Sequence, residues 1–223
     1  MCFSAGASFA GAVVISTVGV AAQGKVTHRS QRLLAVVPLL FALQQFAEGA
    51  LWITLGTGEH GWLQAPAAGI FLVTALVIWP TMIPLSMRFL EERELRKKIL
   101  NGMVIAGVLT SFCYAYCLIA FDVAPQISGF HIKYVDNFPG RLIDVAFGLY
   151  LAVTILPLFV SSVRRMWLFG ILVAASCAVT AVFFSQYLTS VWCFFAALIS
   201  VTIYWVLSQA QEQQGLAMAH AGR

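Results

Sequence analysis

Seven stretches of this chain are apolar for long enough to cross a bilayer: 3–22, 33–55, 66–87, 99–121, 141–162, 165–187 and 189–208. About 20 helical residues span the hydrocarbon core. Polar and turn-forming residues separate the stretches, most sparsely at Leu188-Thr189. The pattern predicts an all-α polytopic membrane protein. It has one seven-helix transmembrane domain over 1–208 and a short cytoplasmic tail over 209–223.

One carboxylate breaks the pattern. Glu48 lies well inside the second stretch, and no other ionisable residue is so deep in any of the seven. A charge at bilayer depth costs at least ~2.5–3.5 kcal/mol on insertion scales. Glu48 sits seven residues before the stretch ends, about 10 Å below that boundary at 1.5 Å per residue. Gln44, Glu48 and Trp52 follow at i, i+4 and i+8, so they share a helix face, which Gln45 flanks. Two amides and a carboxylate would go unsatisfied against lipid, so this face is expected to look into the bundle.

Composition agrees with a lipid-solvated chain. Of 223 residues, 61% are hydrophobic and 10% are charged, against roughly 25% charged in an average soluble domain. The net charge of +4 matters less than its placement. With the N-terminus outside, eleven of the thirteen Lys and Arg fall on the inner side, and only Lys133 and Arg141 fall outside. The positive-inside rule therefore selects N-out, C-in. The expected location is a bacterial cytoplasmic membrane, with the bilayer as a partner and no nucleic acid. The first stretch lacks a basic n-region, and Gln23-Gly24-Lys25 is a poor cleavage site, so it reads as a retained helix rather than a leader. Within it, Ser4, Ser8, Ala12 and Ser16 recur every four residues, a packing pattern for close helix approach.

Polar side chains gather in the outer half. They include Cys113, Tyr114, Tyr116 and Cys117, then Arg141 and Asp144, then Gln186, then Trp192 and Cys193. The inner half holds no ionisable group at depth. A proton or ion pathway needs a relay through the bilayer, so the distribution favours a blind, outward-opening pocket. The outer connection 122–140, which contains His131, is long enough to cap such a pocket or simply to connect. The inner run 88–98 mixes acid and base at helical spacing and reads as solvated helix ends facing anionic lipid heads.

The N-terminus adds a second signal. Met1-Cys2-Phe3-Ser4-Ala5 would expose an amine and a thiol on adjacent carbons once Met1 is removed. Such a pair can chelate a soft metal or act as a nucleophile. That opening, with Ser8 and the helix pattern Pro-Leu-Leu-Phe-x-x-Gln-Gln-x-x-Glu-Gly-x-x-Trp from Pro38 to Trp52, resembles an uncharacterised family of bacterial multi-pass membrane proteins. The resemblance implies a fold type and no activity, and it marks Cys2, Gln45, Glu48 and Trp52.

Three functions are weighed. The first is binding or sensing of a small ligand or soft metal ion in a pocket lined by Gln45, Glu48, Trp52, Tyr114, Asp144 and Gln186. Cys2 and His131 are the metal candidates in that reading. A sensor would need a partner protein, reached through the 88–98 run. The second is an enzyme using Cys2 as nucleophile or Glu48 as general acid/base on a lipid-soluble substrate. The third is an assembly subunit with no site, in which Glu48 stitches helices together. No zinc spacing, nucleotide loop or Ser-His-Asp order is present.

Overall fold

The structure is a computed structural model that describes residues 4–57, 61–129, 131–163, 165–183 and 196–221. Its helices are α1 Ala5–Gln23, α2 Arg32–Thr57, α3 Gly61–Leu72, α4 Trp79–Leu90, α5 Glu94–Ala120, α6 Gly140–Val160, α7 Met166–Phe183 and α8 Ala196–Ala221. Five spans are long and apolar enough to cross a membrane: Ala5–Gln23, Arg29–Thr57, Gly61–Leu90, Glu94–Ala120 and Ile143–Val160. They correspond to the first five stretches expected above. The expected boundary between the sixth and seventh lies outside the described residues. The residues read as a tail continue α8 as helix to Ala221.

Helix starts follow local chemistry. Ser4 caps α1, its side chain accepting from the Ala7 amide at 3.2 Å. Before α2, the Gln31 side-chain oxygen accepts from the amides of Thr27 at 2.8 Å and His28 at 3.2 Å. Those bonds fix the turn between α1 and α2.

The small residues of α1 do pack. Ser8, Gly11, Ala12 and Gly19 are buried. Gly49 of α2 admits the Phe9 ring, and Gly19 admits Leu39. The same device joins α4 and α5. Pro84 has no N–H, so the Pro80 carbonyl loses its partner within the helix. Gly107 of α5 lies against that carbonyl, so closely that a Cβ there would run into it.

Between α3 and α4 the helix widens into a π-helical stretch, Val73–Ile78. Its carbonyls serve neighbouring helices. The Tyr150 hydroxyl donates to Ala75 O at 2.7 Å, and the Ser111 hydroxyl donates to Val77 O at 2.6 Å. Such stretches often mark functional sites.

The connection after α5 is ordered, where the sequence suggested a cap or a plain loop. Strands β1 Val123–Ser128 and β2 His131–Asp136 form an antiparallel hairpin in register Val123↔Asp136 to Ser128↔His131. Gly129 takes a positive φ of 61° at its tip, a conformation glycine adopts without steric cost. The hairpin docks on the bundle. Ile132 is fully buried, and Tyr134 stacks on Phe71 at 5.0 Å and 13°.

At the opposite end the run 88–98 is exposed or partly exposed except at Glu91. Leu90 ends α4 and Glu94 begins α5, and Glu91 between them is only 2% exposed. Its carboxylate accepts from the Ser162 amide and hydroxyl, both at 2.6 Å, and from the Arg93 amide at 3.0 Å. Arg96 adds a bond to Val160 O at 2.9 Å. The α4–α5 and α6–α7 connections are thereby clamped together. Burial pushes the Glu91 carboxyl up, but the Ser162, Arg93 and Glu92 hydrogen bonds outweigh it and hold it below the usual range.

Candidate functional site: a capped cavity between the helices

A cavity of about 340 Å³ runs through the bundle beneath the hairpin. Its long axis follows α6, where Asp144, Phe147, Tyr150, Thr154 and Leu158 line it at helical spacing. From Ile143 to Leu158 that wall is about 22 Å long at 1.5 Å per residue. The volume falls in the ordinary range for small-molecule sites, about 300–1,000 Å³.

Each wall has an identifiable origin. Val37, Phe41 and Gln44 come from one face of α2. Ala75 and Leu76 come from the π-helical stretch, whose wider turn is held open by Tyr150. Trp79 opens α4 and lies on Phe41 at 4.4 Å between ring centres. Tyr114 of α5 meets Tyr150 edge-to-face at 6.1 Å and 85°. The hairpin supplies Val123, Ile132, Tyr134 and Asp136, and Phe138 follows it. The far end closes on Leu158, Phe169, Val173 and Ile199.

Polarity is graded along the cavity. Asp136 and Asp144 stand at the hairpin end and are exposed. Below them the lining is apolar and aromatic, apart from Gln44, the tyrosine hydroxyls and Thr154. Two of those hydroxyls are engaged by backbone: Tyr150 donates to Ala75 O, and Thr154 donates to Tyr150 O at 2.7 Å.

Of the residues singled out from sequence, Tyr114 and Asp144 line this cavity. Gln45, Glu48 and Trp52 do not. Gln45 and Glu48 are fully buried, with Gln45 Nε2 donating to Glu48 Oε2 at 3.4 Å. Trp52 is half-buried and packs near Leu51 and Tyr134. Gln44 is therefore the α2 amide that faces the cavity; Gln45 beside it and Glu48 one turn further on are absent from the lining. Cys2 and Gln186 lie outside the described residues.

His131 is buried at the start of β2, and burial pushes its imidazole pKa down. It adjoins Ile132, which lines the cavity. Among the described residues, no three His, Cys, Asp or Glu converge as a metal site would require. Cys113, Cys117 and Cys177 are free thiols.

Sequence reasoning passed over Trp79, Ile132, Tyr134 and Thr154. The spacing from Asp144 to Leu158 was a usable signal, since it places one stripe on α6. Trp79 carried none and the hairpin residues only a short alternation, because their place depends on contacts between distant segments.

Fold and site together define a helical protein with membrane-length apolar helices around a capped internal cavity. Residues 1–217 match the family of unknown function DUF6629, and the chain belongs to that family. No curated protein and no solved structure matches it significantly.

Proposed function

We propose that this protein binds a small lipid-soluble molecule in the cavity beneath the hairpin. It would do so as an integral protein of the bacterial cytoplasmic membrane. The seven-span, N-out arrangement expected from the charge distribution puts the hairpin and cavity mouth on the outer side. The observation that carries the reading is the cavity itself. A slot of about 340 Å³ with aromatic walls and a docked cap is the form small-molecule sites take.

The site is centred away from Glu48. Binding here needs the α6 stripe, the widened turn and the cap, and it assigns no role to Cys2. Among the described residues the deep lining holds no charged group, which fits a lipid-soluble ligand, because a buried charge without a partner is costly.

The test measures binding to protein in lipid nanodiscs, with empty nanodiscs of the same lipid subtracted. The probes are 2-methylnaphthalene and 2-methyl-1,4-naphthoquinone. At least one should show saturable binding that Ala75→Phe abolishes by filling the slot. No saturable binding of either probe sinks the proposal.

A further inference from the structure

Two buried side chains present unused hydrogen-bonding groups to the cavity. Gln44 is 1% exposed and Tyr114 is 4% exposed, and both line it. Gln44 Oε1 accepts from the Trp79 indole N–H at 3.4 Å. An indole nitrogen can only donate, so the amide oxygen must face it. The amide NH₂ is left turned away from Trp79, with no hydrogen-bond partner among the described residues. The Tyr114 hydroxyl likewise has none; its ring meets Tyr150 only edge-on. Both residues line the cavity, so an acceptor that enters it can take up these two donors.

We infer that the ligand is an uncharged, ring-containing molecule with a carbonyl oxygen that accepts from Tyr114 Oη and Gln44 Nε2. This rests on the binding reading above and names the ligand class for that site. A neutral ligand is favoured at that depth because the two carboxylates of the lining, Asp136 and Asp144, stand at the hairpin end, and among the described residues no Lys, Arg or His lines the cavity. A flat ring is favoured because Phe41, Trp79, Tyr114 and Tyr150 offer aromatic faces and edges around the donors. A site built to hydrogen-bond a polar group discriminates strongly against an analogue lacking it, since its donors then stay unpaired.

The two nanodisc probes share a ring system and differ in the carbonyls. The quinone should bind about tenfold more tightly than the hydrocarbon, the size of one or two net hydrogen bonds. Tyr114→Phe keeps the ring and should weaken quinone binding several-fold more than hydrocarbon binding. Gln44→Leu should do the same, with thermal unfolding confirming that it folds. A merely structural role for Tyr114 would weaken both probes alike and would overturn the inference. Equal affinity for the two probes would overturn it too, with the cavity reading intact. Binding of neither probe removes the cavity reading itself.

Discussion

The Tyr150 hydroxyl donates to the Ala75 carbonyl at 2.7 Å, joining residues 75 apart in sequence. That bond ties α6 to the π-helical stretch, and both residues line the cavity. Ala75 O lies in a widened turn, so it is open to a side-chain donor from a neighbouring helix. In Tyr150→Phe a buried carbonyl loses its partner, which costs about 1–3 kcal/mol. Thermal unfolding in detergent micelles should show the loss, with helix content unchanged at low temperature. A melting temperature equal to wild type would mean that the bond contributes nothing.

Gly107→Ala should be worse than its size suggests. The added methyl meets the Pro80 backbone, which cannot rotate aside as a side chain can. Overpacking costs typically about 1–3 kcal/mol, and a backbone obstacle puts this site at the upper end. Gly102→Ala on the same helix has nothing within 4 Å and is the control. Equal unfolding midpoints for the two variants would contradict the close approach of α4 and α5.

The helices were legible in sequence because their apolar runs are long. An apolar run of spanning length must satisfy its own backbone, and a helix does so. The hairpin was less legible. His131-Ile132-Lys133-Tyr134 does alternate, but Val135 breaks the pattern, and four residues of alternation are a weak signal beside a turn. Glu91 was not legible at all. It looks like any charge in the run 88–98, and its burial depends on meeting Ser162, 71 residues away. On α2 the sequence showed a polar stripe but not its rotation. Neighbouring amides, Gln44 and Gln45, point about 100° apart on the helix, and only packing decides which faces the cavity.

The Glu91 clamp gives a pH dependence with a definite sign. Its carboxyl is held below the ordinary 4.5 by the hydrogen bonds that outweigh its burial. For a depressed acid, the stabilisation is fully present above the unfolded-state pKa. It is lost as pH falls through the folded value. The Glu91 contribution to stability should thus hold steady from about pH 7 to 5 and decline below about pH 4. Glu91→Gln should lower the plateau and flatten the decline. Ser162→Ala removes one of the bonds and should cost about 1–3 kcal/mol. A wild-type acid limb unchanged by Glu91→Gln would place the titrating group elsewhere.

Glu48→Gln separates the cavity from the neighbouring polar face. Glu48 is absent from the cavity lining, so probe affinity should fall less than in Gln44→Leu, one turn away on the same helix. Its interaction with Gln45 is within α2, so any effect should fall on stability. A tenfold loss of naphthoquinone binding with a native melting temperature would show that ligand contact extends to Glu48. The site would then have to be redrawn around α2.

The hairpin should control access rather than affinity alone. Its docking rests on Ile132 in the interior and on Tyr134 stacked against Phe71. Aromatic pairs of this kind contribute about 0.5–1.5 kcal/mol beyond their buried area. Tyr134→Ala should loosen the cap and raise amide hydrogen exchange over 123–136, while α2 and α4 stay protected. Probe dissociation should then quicken more than association, because the bound ligand loses its cover and the walls remain. Acid should act in the same direction. Burial lowers the His131 pKa, so its contribution is present above about 6.5 and is lost as pH falls towards the depressed folded value. Stopped-flow measurement of probe release at pH 7.5 and 5.5 checks both effects. Identical release rates in wild type and Tyr134→Ala at both pH values would mean that the ligand enters between helices and not under the hairpin.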